Sequence, residues 1–204
     1  MKHLHHSYQH KFFWANKRIF DFFVSLLLLP LLFIIGIFIL ILNKFFNPGE
    51  LLFIQERMGK NCESFYAIKF RTMTSIEKIT RKYNDPIEVN RITPLGGILR
   101  KMRIDELPQI LNVLKGDMSL IGPRPDYYTY ALEYLKNIEG YRERHAIRPG
   151  ITGLSQVKLG YAESLDATIE KTKFDNYYIN NIGYIIELKI IFKTILIIIK
   201  GMGK

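Results

Sequence analysis

The stretch Arg100–Pro125, RKMRIDELPQILNVLKGDMSLIGPRP, is the part of this chain around which the rest is organised. Its centre is the adjacent carboxylate pair Asp105-Glu106. We expect Asp105 to cap a helix, because Pro108 is tolerated only within a first turn. A helix N-terminus carries free N–H groups and the positive end of the dipole, which favour anions. Successive helical side chains point about 100° apart, so the two carboxylates can serve different purposes.

Basic side chains surround the pair. Arg100, Lys101 and Arg103 precede it, and Arg124 follows between two prolines. Because proline restricts the backbone, the Gly122–Pro125 loop is expected to be stiff and to present one guanidinium group. Carboxylates beside fixed arginines indicate phosphate chemistry assisted by a divalent cation. Taken alone, the acidic pair is better explained as a capped helix beside a solvated basic face.

Composition indicates an anionic partner. The 204 residues carry a formal net charge of +10, enough chain for one domain with appendages. Such a charge favours nucleic acid, a membrane surface or a phosphorylated substrate, and composition does not choose among them. The single Cys62 excludes an internal disulfide framework and a cysteine-rich metal cluster.

The segment Ile19–Leu42 is almost entirely apolar, with Asp21 as its only charge. As a straight helix it would reach roughly 36 Å, enough to cross a bilayer core of about 30 Å. Pro30 near its middle must bend such a helix, and Ser25 is placed to satisfy freed backbone carbonyls. The flanking regions carry similar positive charge, without the bias of a spanning helix. A bent helix that re-enters the same leaflet fits both facts, and a kinked span remains the alternative.

Periodicity and turn residues predict the remaining elements. Thr93-Pro94 marks the start of a short helix that runs to about Met102. Leu51–Arg57 and Phe65–Phe70 have the composition of a β-hairpin. Further predictions are a loop at Glu77–Asn90, helices at Tyr127–Lys136, Tyr141–His145 and Asp166–Asn180, and a strand at Ile151–Val157.

The C-terminal segment, YIIELKIIFKTILIIIKGMGK, predicts an amphipathic helix. Its wide apolar face and basic edge are typical of a helix lying in the interface of an anionic bilayer. A core helix is the alternative for this segment taken alone.

Five motifs occur together in a fixed order, as follows: Lys69-Phe-Arg-Thr-Met, Asp105-Glu-Leu-Pro-Gln, Gly116-Asp-Met-Ser, Gly122-Pro-Arg-Pro and Arg148-Pro-Gly-Ile-Thr-Gly. With them, the chain from about Lys17 to Gly201 resembles the bacterial sugar transferases known as monotopic polyprenyl-phosphate phosphoglycosyl transferases. It is similar to the compact form that consists only of a catalytic domain. Five motifs in order behind a proline-broken apolar helix are far more specific than any one of them.

The resemblance implies a reaction and its partners. A sugar 1-phosphate passes from a UDP-sugar to undecaprenyl phosphate and UMP is released, with Mg²⁺ as cofactor and a covalent phosphosugar intermediate on an aspartate. This would be the first membrane step of cell-surface polysaccharide or glycoconjugate synthesis. The resemblance places the enzyme on the cytoplasmic face of the bacterial inner membrane, in contact with membrane lipid and without nucleic acid. The oligomeric state stays open, a homodimer included.

Carried over to this sequence, the resemblance assigns roles to individual residues. Asp105 is the nucleophile, and Asp105 and Glu106 together hold the metal. The Pro30 break, with Ser25 before it, matches the family's re-entrant helix. The substrate phosphates are expected to contact basic side chains in three of the motifs and one arginine shortly before the carboxylate pair, namely Lys69, Arg71, Arg124, Arg148 and Arg100.

The expected fold is α+β and mostly helical: a re-entrant membrane helix and a small catalytic domain with a short hairpin and interfacial amphipathic helices. The expected boundaries are a polar tail at 1–17, the membrane helix at 18–43, the cytoplasmic catalytic domain at 44–183 and the C-terminal interfacial helix at 184–204.

Simple electrostatics agrees with this chemistry. An aspartate is ionised at neutral pH and needs no general base, but it must approach a diphosphate of like charge. One pair of unit charges about 4 Å apart is worth about 4 kcal/mol at an effective dielectric of about 20. A divalent cation and two or three arginines are therefore of the right size to offset the repulsion.

The sequence departs from the family pattern in two places. After Arg148-Pro149-Gly150, many members have an aromatic residue and then a Gly-Arg pair, whereas this chain has Gly153–Tyr161, GLSQVKLGY. This leaves the identity of the sugar open. Glu187 stands where aspartate is common, a change expected to be structurally minor.

Two other functions were weighed. A membrane-anchored nucleic-acid-binding protein would account for the charge, but the sequence has no helix-turn-helix, aromatic RNA-binding signature or zinc spacing. A non-catalytic scaffold of a glycan-assembly complex would not need Asp105, Glu106 and Arg124. The sequence therefore favours the enzyme.

Overall fold

The computed structural model describes residues 2–75, 85, 88–160 and 164–203, with side chains from residue 11 onward. The elements are α1 (Lys2–Phe46), β1 (Leu52–Met58), β2 (Ser64–Phe70), α2 (Pro94–Lys101), α3 (Ile110–Lys115), β3 (Ser119–Ile121), α4 (Tyr128–Asn137), β4 (Gly150–Thr152), α5 (Leu154–Leu159), α6 (Leu165–Asn180) and α7 (Tyr184–Ile199). Short 3₁₀ segments occur at Lys60–Cys62, Val89–Arg91, Ile104–Gln109 and Glu143–His145. The described part of the chain is mostly helical with two small sheets, which confirms the predicted α+β class.

Helix α1 is longer than the predicted membrane segment at both ends. It begins at Lys2, so the stretch expected to be a polar tail is helical, and it continues through Pro30 without interruption. Its part from Lys11 to Phe46 is long and apolar enough to cross a membrane. Large side chains in the middle are open to solvent, such as Leu27 at 78% and Phe33 at 70% exposure. A core helix of a soluble protein would bury them, so α1 is weak evidence for membrane association.

The first part of α1 docks on the rest of the protein through polar side chains. Asp21 accepts hydrogen bonds from Ser119 Oγ (2.7 Å) and from the Leu120 amide (3.1 Å). Arg18 donates to the carbonyl oxygens of Val113 (2.7 Å) and Leu114, at the C-terminal end of α3. The only charge of the apolar segment is therefore bound by protein.

The last part of α1 packs against the same folded unit. Ile39 is 2% exposed and lies in one apolar cluster with Phe70 of the hairpin and Leu95 and Leu99 of α2. Asn47, just after the helix, donates from Nδ2 to the carbonyl of Arg71 at 2.9 Å. Both ends of the apolar stretch thus contact one domain.

The hairpin and the helix after it follow the predictions. Strands β1 and β2 pair antiparallel, from Leu52 opposite Phe70 to Met58 opposite Ser64. Thr93 caps α2 by accepting a hydrogen bond from the Gly96 amide at 3.0 Å. The helices predicted around 127–136 and 166–180 are present as α4 and α6. The predicted loop 77–90 lies mostly outside the described residues.

The strand predicted at 151–157 is wrong beyond its start. Strand β4 covers only Gly150–Thr152, and α5 follows at once. Its partner β3 is equally short and pairs in parallel with it. Pro123 and Pro125 follow β3, and since proline has no backbone N–H to donate, the ladder cannot extend.

Helix α7 is buried on one face only. Ile190 is fully buried with Ile121 and Tyr178, and Glu187 accepts a hydrogen bond from the Tyr178 hydroxyl at 2.6 Å. Glu187 also pairs with Lys17 of α1 at 2.6 Å, so this departure from the family pattern lies at a buried contact. The opposite face leaves large apolar side chains exposed, namely Ile185, Leu188, Phe192 and Ile199. An ordinary core helix would not leave that face uncovered.

Candidate active site

The carboxylate pair lies in the 3₁₀ segment Ile104–Gln109, between the end of β2 and the loop after β3. Arg103, in the left-handed conformation with φ 55°, turns the chain into this segment from α2. Asp105 was expected to cap a helix, but it lies inside the segment, whose N-terminal cap position is Arg103 and makes no side-chain capping bond. Asp105 is 7% exposed and Glu106 only 1%. Two neighbouring carboxylates are therefore buried together.

Three cations hold Glu106. Its Oε1 lies 2.6 Å from Arg124 Nη1 and 2.9 Å from Lys69 Nζ, and its Oε2 lies 3.6 Å from Arg103 Nη1. Burial alone would raise the pKa of Glu106, but Arg124, Lys69 and Arg103 outweigh it and hold that pKa well below its usual range. Glu106 is a permanent anion at neutral pH.

Asp105 has the opposite environment. Burial, and then the charge of Glu106, raise its pKa to about 6, against the smaller opposing effect of Lys69, Arg124 and Arg100. Its Oδ1 is buried without a hydrogen-bond partner among the described residues. Two adjacent carboxylates whose environments push their pKa values apart are typical of sites in which each does a different job.

Lys69 is also perturbed. Burial, and then the nearby Arg124, lower its pKa to about 8, although Glu106 opposes this change. Its ammonium group therefore stays mostly charged at neutral pH, but a phosphate entering the site would stabilise the charged form further.

The loop that carries Arg124 is held by a buried ionic network that sequence reasoning missed. Arg144 is fully buried and donates to the carbonyl of Arg124 at 2.7 Å. It also pairs with Asp126 at 2.7 Å and with Asp175 at 2.8 Å. Lys171 binds the other oxygen of Asp126 at 2.5 Å.

Part of this network was visible in the sequence. Lys171 and Asp175 are four residues apart on a predicted helix, so they share one face. Nothing local indicates that Arg144, 31 residues before Asp175, meets them. The pKa of Arg144 is raised. Burial alone would lower it, but the charges of Asp175 and Asp126 outweigh that effect.

The other predicted phosphate-binding residues are placed differently. Arg100 lies close enough to Asp105 for its charge to lower that residue's pKa, and its Nη1 is buried without a hydrogen-bond partner among the described residues. Arg71 instead donates to the carbonyls of Asn47, Glu50 and Met73, around the end of α1. These contacts favour a structural role for Arg71.

Arg148 makes its hydrogen bond on a different segment from the pair. Its Nε donates to the carbonyl of Gly116 at 2.7 Å, at the C-terminal end of α3. Asp105 precedes the other end of α3, and six helical residues span about 9 Å. In α1, Ser25 Oγ is buried but makes no hydrogen bond among the described residues, so its predicted contact with freed carbonyls is not observed.

The pair fits a divalent cation. Asp105 Oδ1 and Glu106 Oε2 are both buried carboxylate oxygens without a hydrogen-bond donor in the described part of the chain, an arrangement that costs free energy unless a ligand satisfies it. The described residues of the chain contain no group of three or more acidic, His or Cys side chains able to hold a metal. Mg²⁺ commonly takes one or two protein carboxylates and completes its shell with water and substrate phosphates. Asp105 and Glu106 would be its protein ligands.

Comparison with known proteins points to one family over nearly the whole chain. A family model described as bacterial sugar transferase matches residues 12–201. An Aeromonas hydrophila protein, UDP-N-acetylgalactosamine-undecaprenyl-phosphate N-acetylgalactosaminephosphotransferase, is 41% identical over 92% of this chain and 44% of its own length. UDP-glucose:undecaprenyl-phosphate glucose-1-phosphate transferase of Escherichia coli is 36% identical over 88% of this chain and 39% of its own. The chain thus spans less than half of these two relatives.

A shorter relative matches over nearly its full length. An exopolysaccharide production protein of Rhizobium leguminosarum is 38% identical over 88% of this chain and 92% of its own length.

Proposed function

The chain belongs to the bacterial sugar transferase family, and we propose that it transfers a sugar 1-phosphate from a UDP-sugar to undecaprenyl phosphate, releasing UMP. The observation that carries this proposal is the pair of buried carboxylates in opposite electrostatic environments, one clamped by Arg124 and Lys69 and one unpaired. Both sources of substrate identity, the resemblance and the names of the relatives, agree with it.

Asp105 is the nucleophile of the proposed reaction. Its carboxylate oxygen attacks the sugar-bearing phosphorus, the phosphoanhydride bond breaks, and UMP leaves with the bonding electrons. A phosphate oxygen of undecaprenyl phosphate then attacks the same phosphorus, which restores Asp105 and forms undecaprenyl diphosphate-sugar. An ionised carboxylate that lacks hydrogen bonds is a stronger nucleophile than a solvated one.

Glu106 acts through its neighbours. It orients the Arg124 guanidinium and the Lys69 ammonium by binding both to one oxygen. These cations lie close enough to Asp105 for their charges to act on its pKa, so they are placed to stabilise charge that moves onto phosphate oxygens during transfer. When bound, Mg²⁺ supplies additional positive charge to the diphosphate and its leaving oxygen.

The contacts of α1 support a re-entrant membrane helix. Asp21 and Ile39 both bind the catalytic domain, although about 27 Å of straight helix would separate them. In a spanning helix these two positions would lie near opposite faces of the bilayer. The domain carries charged groups such as Arg71 and Arg100, which cannot lie beside the hydrocarbon core at low cost. A bend at Pro30 lets both ends meet the domain on one side of the membrane.

The exposed apolar face of α7 supports an interfacial position for that helix. Leu188 and Phe192 are each 64% exposed, and the basic Lys189 and Lys193 lie on the same helix. Such a helix binds the headgroup region of an anionic bilayer and holds the active site where a lipid phosphate lies. The unpaired Cys62 is compatible with the reducing cytoplasmic side of the inner membrane.

The experiment that tests this function is UMP release by the purified protein in detergent with Mg²⁺, undecaprenyl phosphate and a panel of UDP-sugars. We expect release with one or two sugars, and loss of release without Mg²⁺. In a rapid-mixing experiment without the lipid, one equivalent of UMP and a sugar-phosphate adduct on Asp105 are expected, detectable by mass spectrometry of the intact chain.

The controls separate the alternatives. An Asp117→Asn variant removes a carboxylate outside the pair and should keep its activity, whereas Asp105→Asn should form no adduct. Release without any adduct would contradict the covalent route. A folded protein that releases UMP from no sugar, and instead binds other glycan-assembly proteins, would support the scaffold alternative.

A further inference from the structure

A basic cavity, apart from the site at the carboxylate pair, lies where helix α1 meets the catalytic domain. It has a volume of about 310 Å³, within the range of about 300–1,000 Å³ typical of small-ligand sites. Its lining includes Trp14, Arg18 and Asp21 from α1 and Lys60 and Arg148 from the domain. Four of its lining side chains are basic and one is acidic, since Lys17 lies there too.

Two of these cations have free donors. Arg148 uses Nε for Gly116, and its two terminal nitrogens have no hydrogen-bond partner among the described residues. Lys60 is exposed, and its ammonium group has no ion pair in the same part of the chain. Asp21 binds the Ser119 hydroxyl and the Leu120 amide and makes no ion pair with Lys60 or Arg148 in the described part of the chain, and its single negative charge is outnumbered by the four cations of the lining. The cavity is therefore a site for an anion.

The cavity lies at the depth of lipid headgroups. Trp14, Arg18 and Asp21 share one face of α1, and Ile19, an apolar side chain that is 55% exposed, lies beside them. A tryptophan next to basic side chains at the end of an apolar segment is typical of the membrane–water interface. A group bound between Lys60 and Arg148 would lie at that level.

This site is separate from the carboxylate pair. Arg148 lies at the C-terminal end of α3, and the pair lies before its N-terminal end, about 9 Å away along the helix. None of the residues lining the cavity contacts Asp105 or Glu106 among the described interactions. A ligand here would bind at the same time as a substrate at the pair.

We propose that this cavity binds the phosphate of an acidic phospholipid headgroup through Lys60 and Arg148, and so fixes the protein at a defined depth in the membrane. The proposal does not depend on the transfer reaction, since it concerns how the domain is held against the bilayer. It assigns Lys60 to a lipid contact, and it gives Arg148 a phosphate other than the one bound at the carboxylate pair.

Trp14 is the only tryptophan of the chain and lines the cavity, so its fluorescence reports on this site. The purified full-length chain in neutral detergent is titrated with short-chain phosphatidylglycerol, with phosphatidylcholine, with inorganic phosphate and with UDP. We expect a saturable change in Trp14 emission with phosphatidylglycerol and none with phosphatidylcholine. Lys60→Gln should weaken the apparent affinity about tenfold, as expected for loss of one charge-assisted hydrogen bond.

The matched control is Lys136→Gln, which removes the same charge from an exposed position on α4 and should leave the titration unchanged. Arg148→Gln should weaken binding as Lys60→Gln does. An equal response to phosphatidylcholine would overturn the proposal, and so would an affinity for phosphatidylglycerol in both cavity variants equal to that of the unmodified protein. A change with UDP or inorganic phosphate but not with phosphatidylglycerol would show that the cavity binds a soluble phosphate, and the proposal would be wrong.

Discussion

Arg144 donates a hydrogen bond to the main-chain carbonyl of Arg124 at 2.7 Å, and the side chain of Arg124 lies 2.6 Å from Glu106 Oε1. A fully buried cation thus fixes the backbone of the residue that clamps the carboxylate pair. Arg144 itself is held by Asp126 and Asp175. Buried charges are costly unless every one of them is paired, so the network of Arg144, Asp126 and Asp175 has one favourable arrangement. That arrangement fixes the position of the loop that carries Arg124.

Arg144→Lys is expected to lower kcat by about 10- to 100-fold. Lysine keeps the charge but lacks the planar fork, so it cannot bind both carboxylates and the Arg124 carbonyl together. In an Arg124→Lys background the further loss should be clearly smaller, because the two residues act as one unit. The measurement is UMP release for the four members of the double-mutant cycle.

The control for this cycle is Arg142→Lys, an exposed position in the same segment, which should change nothing. Strictly multiplicative losses in the double variant would mean that Arg144 only supports folding and does not act through Arg124.

Asp105→Asn should abolish turnover and at the same time stabilise the fold. Burial and the neighbouring Glu106 raise the pKa of Asp105 to about 6, so its ionised form is disfavoured in the folded state. Each pKa unit corresponds to about 1.4 kcal/mol, and asparagine removes this penalty, which gives a gain of about 3 kcal/mol in the free energy of unfolding at pH 7. Thermal unfolding in detergent without Mg²⁺ measures it.

The comparison for this substitution is Asp166→Asn at the exposed start of α6, which should change stability by less than about 0.5 kcal/mol. A less stable Asp105→Asn protein would contradict the strained environment that we assign to the nucleophile.

Both ends of the membrane helix should be accessible from one side. In a Cys62→Ser background, cysteines introduced at the exposed positions Ala15 and Lys44 are labelled in sealed vesicles with a reagent that does not cross membranes. We expect both to react in the same vesicle orientation as a cysteine at Glu133 of the catalytic domain, where the side chain is 42% exposed. Labelling of Ala15→Cys and Lys44→Cys from opposite sides would establish a spanning helix and leave the chemistry untouched.

Stability should fall in mild acid because of His145. Its ring lies 3.0 Å from the carbonyl of Gly59, and burial, followed by the charge of Arg144, lowers its pKa to about 3. An unfolded histidine has a pKa of about 6.5, so between these values the unfolded chain binds more protons. The contribution is fully present above pH 6.5 and is lost as pH falls, by about 2 kcal/mol between pH 7 and pH 5.

His145→Gln should flatten this part of the stability profile relative to the unmodified protein. The other four histidines lie within the first ten residues, so His10→Gln serves as the control and should leave the slope unchanged. Parallel profiles for His145→Gln and the unmodified protein would refute the assignment.

The family, the hairpin, α2 with its Thr93 cap and the apolar helix could all be predicted from the sequence. Each depends on a local pattern: motif order, alternation, a Thr-Pro start or a long apolar run. The importance of Asp105, Glu106 and Arg124 could be predicted for the same reason, since they lie within 20 residues of one another.

Other assignments depended on contacts between distant parts of the chain. Arg71 was expected at the substrate and instead binds carbonyls at the end of α1, and Arg148 faces a different cavity from the pair. Once the chain has folded, the guanidinium group of an arginine that follows a proline or lies in a motif can reach many different partners. Its sequence neighbours do not determine which of them it meets.

The sequence by itself determined that this protein has a long apolar helix, a basic domain and two adjacent carboxylates. Only the tertiary structure decided which carboxylate is clamped and which is unpaired, because Lys69 approaches Glu106 from 37 residues away and Arg124 arrives on a loop fixed by Arg144. It also decided that Asp21, the single charge of the apolar segment, binds Ser119, 98 residues further along the chain. Electrostatic environments arise from charges brought together by folding and from the water that folding removes, and neither is a local property of the chain.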